Sequence, residues 1–226
     1  MNQTKNGLTA FLRRHPETWI AVGYFAFYLL SFFALERITE PRFIVHCPLD
    51  DLIPFCEWGI IPYCSWYLLL VGGPVFFLLK DKGDYLRLCF IMFVGMTICL
   101  ALYVVLPTGL DLRQPIPRDN LLCKAVELLR TIDTPTNVCP SIHISSTASI
   151  AIVGLRCKQF RGNLPVKALI WTMTILITLS TLFLRQHSVI DVVAGAALSL
   201  VLMIPAYRIN WEKIFPEIAP SASKAA

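Results

Sequence analysis

The sequence predicts an all-α, polytopic membrane helix bundle with six transmembrane helices, forming one membrane domain over 1–226. Three observations carry this. First, 56% of the 226 residues are hydrophobic and 15% are charged, with mean hydropathy +0.62, whereas a soluble domain has about 25% charged residues. Second, six apolar stretches approach the ~20 residues a membrane helix needs. Third, the ionisable and polar exceptions gather at 106–120, 139–146 and 185–191, all at one predicted end of the helices. Such groups are costly in a membrane and mark function by default.

The elements follow in order. The N-terminal segment MNQTKNGLTAFLRRHPET is polar and basic and lacks a short apolar core followed by a small-residue cleavage site. No cleaved signal is expected, and the first helix, 18–36, directs insertion. Residues 37–58 form a long loop with three prolines and several acids. The second span is 59–79, where Gly72, Gly73 and Pro74 suggest an interruption. A short charged turn, 80–87, leads to the third span, 88–106. The longest loop, 107–141, holds five prolines and an amphipathic stretch near NLLCKAVELLRTI. The fourth span, 142–156, is short and rich in Ser and Thr, a composition suited to the interior rather than to lipid. A basic turn, 157–167, precedes the fifth span, 168–185, and almost no link separates it from the sixth, 187–206. The end of the chain, PSASKAA, is expected to lack order. Segments 1–17 and 207–226 are expected as cytoplasmic tails.

Charge sets the orientation. The two tails and the second and fourth loops lie on one side and carry 13 of the 20 Lys and Arg, so that side is expected to be cytoplasmic. The 107–141 loop and the link before His187 then face outward, and the plasma membrane is the expected location. The net charge of +5 is spread over loops, which fits anionic lipid headgroups and not nucleic acid. The eight cysteines include no Cys-x-x-Cys pair. Cys64, Cys89, Cys99 and Cys157 fall in or beside apolar runs, where a thiol packs as a small hydrophobe. A Cys123–Cys139 disulfide stays open as an option if their loop meets an oxidising compartment. Oligomeric state is not legible.

The polar clusters carry the chemistry. His187 and Asp191 are spaced i,i+4, which in a helix puts both on one face. A carboxylate accepting the Nδ1 proton leaves Nε2 as a free lone pair, able to attack phosphorus. The plain alternative is a structural His–Asp bond between packed helices. Ser141 and His143 follow Pro140 at the start of the fourth helix. A helix N-terminus favours an anion, Ser141 can donate to it, and His143 can protonate a leaving alkoxide. The plain alternative there is a Ser141 cap and an interfacial imidazole. Arg113 offers a planar fork suited to phosphate, although a single loop arginine is usually just solvated.

Taken together, Pro-Ser-x-His followed after one helix by His-x3-Asp, on a six-helix membrane protein, resembles the type 2 phosphatidic acid phosphatase superfamily over 106–200. That family's pattern is Lys-x6-Arg-Pro, then Pro-Ser-Gly-His, then Ser-Arg-x5-His-x3-Asp. The resemblance implies a nucleophilic His187 forming a phosphohistidine, an orienting Asp191, a general acid in His143, and phosphate ligands in Ser141 and Arg113, with no metal or other cofactor. This chain departs from the pattern at four positions. Leu106 stands in place of the Lys, Gln114 follows Arg113, Ile142 replaces the Gly, and Thr181 follows Ser180 where the Arg belongs. Arg185 and Arg118 are candidates for the missing charge.

The expected activity is therefore hydrolysis of a lipid phosphate monoester or pyrophosphate in the bilayer. The bare His-x3-Asp is also similar to the sphingolipid synthase branch, so transfer of a phospho-headgroup to a lipid alcohol is an alternative. The acids Asp50, Asp51 and Glu57 could then help build an acceptor pocket. A non-catalytic lipid-binding or transport protein is a third reading, and its sign would be matched helix breaks in both halves.

Overall fold

A computed structural model describes residues 17–215, so most of both expected tails lies outside the described residues. The chain is a polytopic helix bundle. Five helices are long and apolar enough to cross a membrane: α1 (Glu17–Ile38), α3 (Ile60–Lys80), α4 (Lys82–Val105), α7 (Leu164–Phe183) and α8 (Val189–Arg208). The expected fourth span is α6 (Ile142–Arg156), which at 15 residues rises about 22 Å, short of the ~30 Å hydrocarbon layer. Short helices α2 (Pro48–Leu52), α5 (Leu121–Ile132) and α9 (Trp211–Ile214) decorate the ends.

α6 is the axis of the bundle, packed by α3, α4, α7 and α8. Its Ser and Thr content explains that place. Ser145, Ser146, Thr147 and Ser149 are all buried. The Ser146 hydroxyl donates to the Ile142 carbonyl at 2.7 Å and accepts from Trp66 Nε1 at 2.8 Å. Ser199 of α8 donates to the Ser145 carbonyl at 2.7 Å. Small residues let helices approach closely where no hydrophobic force separates helix from lipid, and each polar contact adds about 0.6 kcal/mol. The outward surface is apolar, with Leu30, Leu68, Val71 and Val201 exposed. α1 stands at the periphery and meets α4 through Tyr24, which stacks on Phe93 at 4.3 Å and donates to its carbonyl at 2.7 Å.

Several boundaries differ from the expectation. The charged turn at 80–87 reduces to Asp81, which caps α4 by accepting from the Asp84 amide at 2.8 Å. Hydropathy registers the charges there, whereas the backbone needs only a cap. The basic turn ends early because Asn163 caps α7 and Pro165 sits in its first turn, where a missing N–H costs nothing. α3 runs unbroken through Gly72, Gly73 and Pro74, so the helix interruption expected there does not occur. The link before α8 covers 184–188, and His187 lies in it rather than in the helix.

The two long loops fold over one end of the bundle. Strands β1 (Phe43–Ile44) and β2 (Thr108–Gly109) pair in parallel. α5 is the expected amphipathic helix, and it lays Val126 and Leu129 against Ile60, Tyr63 and Leu184. Cys123 and Cys139 are both free thiols.

Candidate active site

The site forms where the link between α7 and α8 meets the start of α6. Thr181 closes α7, its carbonyl accepting from the amides of Gln186 at 2.9 Å and His187 at 3.3 Å. Arg185 adopts φ +55, a left-handed conformation that non-glycine residues seldom take. It is held by its guanidinium, which donates to the carbonyls of Leu112 and Ile53, both at 3.3 Å. Asp50 of the first loop holds the start of α8, accepting from Ser188 Oγ at 2.6 Å and the Val189 amide at 2.8 Å. Burial alone would raise the Asp50 carboxyl, but these bonds and one from Cys47 hold it below its ordinary value.

The α6 start is tied directly to α8: the Ser141 amide donates to the Asp191 carbonyl at 3.0 Å. Tyr103 of α4 donates to the Pro140 carbonyl at 2.7 Å. Gly195, one turn beyond Asp191, permits this approach, since a Cβ there would collide with the Ser141 carbonyl oxygen. Gly195→Ala should therefore part the two segments. The expected result is a stability loss of about 1–3 kcal/mol, a lower Tm in detergent, and a larger loss of activity. Wild-type Tm and turnover would contradict the tie.

Three of the predicted residues come together. His187 Nδ1 meets Asp191 Oδ2 at 3.1 Å, and His187 Nε2 meets His143 Nδ1 at 3.0 Å. Asp191 is fully buried and both imidazoles nearly so. The i,i+4 pair works although His187 precedes the helix, because it sits just before the Ser188 cap. His143 packs between Trp66 and Tyr63, with ring centroids at 4.2 and 4.9 Å. Its Nε2 meets the Tyr63 hydroxyl at 2.9 Å, and Tyr63 donates to Asp133 Oδ2 at 2.7 Å.

The remaining predicted residues are placed around this core. Ser141 is buried and caps α6, its Oγ accepting from the Ile144 amide at 3.3 Å. Arg113 donates to the carbonyls of Asp133 and Thr134, at 2.6 and 3.2 Å, and to Gln186 Oε1. Desolvation pulls its guanidinium below its ordinary value while Asp133 opposes the shift, and it stays a cation. Arg118 pairs with Glu57, Nε to Oε1 at 2.9 Å. None of the three arginines lines the cavity beside the histidines. Of the first-loop acids, Asp50 caps α8, Glu57 holds Arg118 and Asn120, and Asp51 meets His46, and none of them lines the cavity either.

That cavity, about 120 Å³, reaches from the two imidazoles toward α1 and is walled by Tyr28, Phe32, Trp66, Tyr67 and Tyr103. Asn137 and Gln186 line it together with the histidines, and among the described residues neither Asn137 amide atom nor Gln186 Nε2 has a hydrogen-bond partner. The shape suits an apolar chain along the rings and a polar head at the imidazoles. A larger cavity of about 600 Å³ at the opposite end, lined by Arg87, Arg156 and Tyr207, contains none of the motif residues. Sequence reasoning missed Tyr63, Asp133, Asn137 and Gln186. Tyr63 reads as one more aromatic in an apolar run, and Asp133 as an acid after an amphipathic helix. Only Gln186, between Arg185 and His187, adjoins a recognised motif.

A family model described as the PAP2 superfamily matches residues 84–215. No curated protein matched the sequence. The crystal structure of LpxE from Aquifex aeolicus is similar in fold, with TM-score 0.52 and 17% identity, the match covering 71% of this chain and 92% of that one.

Proposed function

The chain belongs to the PAP2 superfamily, and from that premise we propose that it removes phosphate from a membrane lipid phosphate, a monoester or pyrophosphate, through a phosphohistidine on His187. The observation that carries this reading is the 3.0 Å approach of His143 Nδ1 to His187 Nε2 at the polar end of an aromatic-walled cavity.

Asp191 accepts the Nδ1 proton of His187, which leaves Nε2 to attack. The lipid phosphate inserts between the two rings. An Nε2–P bond forms as the P–O bond to the lipid breaks, and the His143 Nδ1 proton passes to the departing alkoxide. Water then attacks phosphorus, the N–P bond breaks, and the water proton returns to His143. Positioning and neutralisation of the phosphoryl charge supply most of the acceleration. Ser141, Arg113, Arg185 and Arg118 contribute as proposed phosphate ligands only if a bound headgroup draws them from their present partners. Unpaired Gln186 Nε2 and Asn137 are nearer donors. No metal ion takes part in the proposed steps. The protein acts in the plasma membrane, tails inward and site outward.

The test is phosphate release from a panel of lipid phosphates by purified protein in detergent without divalent metal, with His187→Ala as control. Release by wild type alone supports the reading, and no release from any substrate contradicts it. Rate against pH should be bell-shaped. The acid limb marks protonation of the attacking ring and the alkaline limb loss of the acid's proton, both belonging to the pair rather than to either ring. A flat profile between about pH 5 and 9 would contradict paired imidazoles.

A further inference from the structure

Four hydrogen bonds join five side chains in a line: Asp133 to Tyr63, Tyr63 to His143, His143 to His187, and His187 to Asp191. Each bond needs one proton. Neutral Tyr63, His143 and His187 bring one each, because a neutral imidazole has one N–H and a phenol one O–H. With all four bonds made at once, the line needs one proton more than its neutral members supply. With both terminal acids as carboxylates, Tyr63 donates to Asp133, so its oxygen must accept from His143 Nε2–H. His187 donates Nδ1–H to Asp191. The remaining bond, between the rings, takes the extra proton, which belongs either to His143 Nδ1 or to His187 Nε2.

Those two states differ in consequence. A proton on His187 Nε2 occupies the lone pair that attack requires. A proton on His143 leaves His187 free and charges the general acid. Asp191 alone, in direct contact with His187, would draw the proton to the wrong ring. We propose that Asp133, acting through Tyr63, counterbalances Asp191 and holds the extra proton on His143, so that Asp133 and Tyr63 are positioning residues for the acid. The inference rests on the phosphatase reading for its catalytic meaning, but the placement of the proton does not.

The charged and titratable groups around the line come from several elements. From the 107–120 loop, Arg113 bonds the Asp133 and Thr134 backbone carbonyls, a cation that keeps the Asp133 carboxyl ionised while offsetting part of its pull on the line. From α1, Glu36 accepts from Thr134 at 3.0 Å. From the 184–188 link come His187 and Gln186, from α8 Asp191, and from α4 Tyr103, whose hydroxyl is committed to Pro140. Tyr63 is completely buried, so water does not replace the link between Asp133 and His143.

The test uses full-length protein in detergent, with the histidine ring nitrogens labelled with ¹⁵N. Four histidines in the chain make assignment by single substitutions practicable. The variants are Asp133→Asn and Tyr63→Phe, the second guarding against misfolding of the first. The wild type should show His143 doubly protonated and His187 singly protonated at neutral pH. In Asp133→Asn loss of the His143 proton should move to lower pH by about one unit, the scale of an opposite charge within ~4–6 Å, and in Tyr63→Phe it should move the same way because His143 Nε2–H loses its acceptor. Turnover of an alkyl lipid phosphate should fall about 10–100-fold, part of the 10²–10⁴-fold that a general acid supplies. Turnover of p-nitrophenyl phosphate, whose leaving group needs no acid, should fall by less, its remaining loss marking the share of enzyme whose extra proton has moved to His187 Nε2. Unchanged ring titrations, or an extra proton found on His187, would overturn the proposal. The predicted titrations without turnover of any phosphate ester would uphold the proton placement and refute the phosphatase reading instead.

Discussion

His187→Ala should abolish turnover, by more than about 10⁴-fold, because in the proposed mechanism it removes the atom to which phosphorus bonds. Loss of a general acid costs about 10²–10⁴-fold, whereas loss of a nucleophile closes the covalent route altogether. The structure makes the variant a clean test. His187 lies in the link ahead of the Ser188 cap, and α8 is held there by Asp50 through Ser188 and Val189. Those contacts do not involve the imidazole, so the start of α8 should hold, but the truncation strands the buried Asp191 carboxylate and should lower Tm. His187→Asn, which keeps a polar partner for Asp191, should lose activity equally with a smaller loss of Tm. A variant retaining a tenth of wild-type rate on a lipid phosphate would exclude His187 as nucleophile.

His143→Ala should lose about 10²–10⁴-fold on lipid substrates and far less on aryl phosphates. The reason is specific to its role. An alkoxide leaving from a lipid phosphate must take up a proton as the P–O bond breaks, whereas a nitrophenolate is stable without one. In the proposed mechanism attack by His187 needs only the Asp191 bond, which His143 does not touch. Plotted against leaving-group pKa, log rate should therefore fall more steeply for the variant than for the wild type. Parallel lines would mean that His143 binds or packs rather than protonates. His143 also packs between Trp66 and Tyr63, so His143→Gln is a useful companion that keeps more of the volume.

Much of the architecture was legible because membrane helices declare themselves through length and composition. The interior position of α6 followed from its serines, and the pairing of His187 with Asp191 from their spacing. What the sequence did not show depends on tertiary approach. Arg185 and Arg113 read as free cations near the motifs, yet their donors go to carbonyls of Ile53, Leu112, Asp133 and Thr134, partners that no local pattern announces. Asp50 looked like part of an acidic loop and turned out to cap a helix well over a hundred residues away. Tyr63 and Asp133 became visible only when α3, α6 and the loop after α5 met at one imidazole. The helix ends erred where charges sat inside helical turns, as at 82–87, since hydropathy measures lipid compatibility and not backbone conformation.

The most direct measurement is to trap the covalent intermediate. Wild-type protein mixed with ³²P-labelled lipid phosphate and quenched rapidly in alkali should retain label that is released by acid, as a phosphoramidate requires, and peptide mapping should place it on the segment containing His187. His187→Ala should retain none. Label of equal amount in that variant, or label stable to acid and so borne by a serine or another ester, would contradict the account.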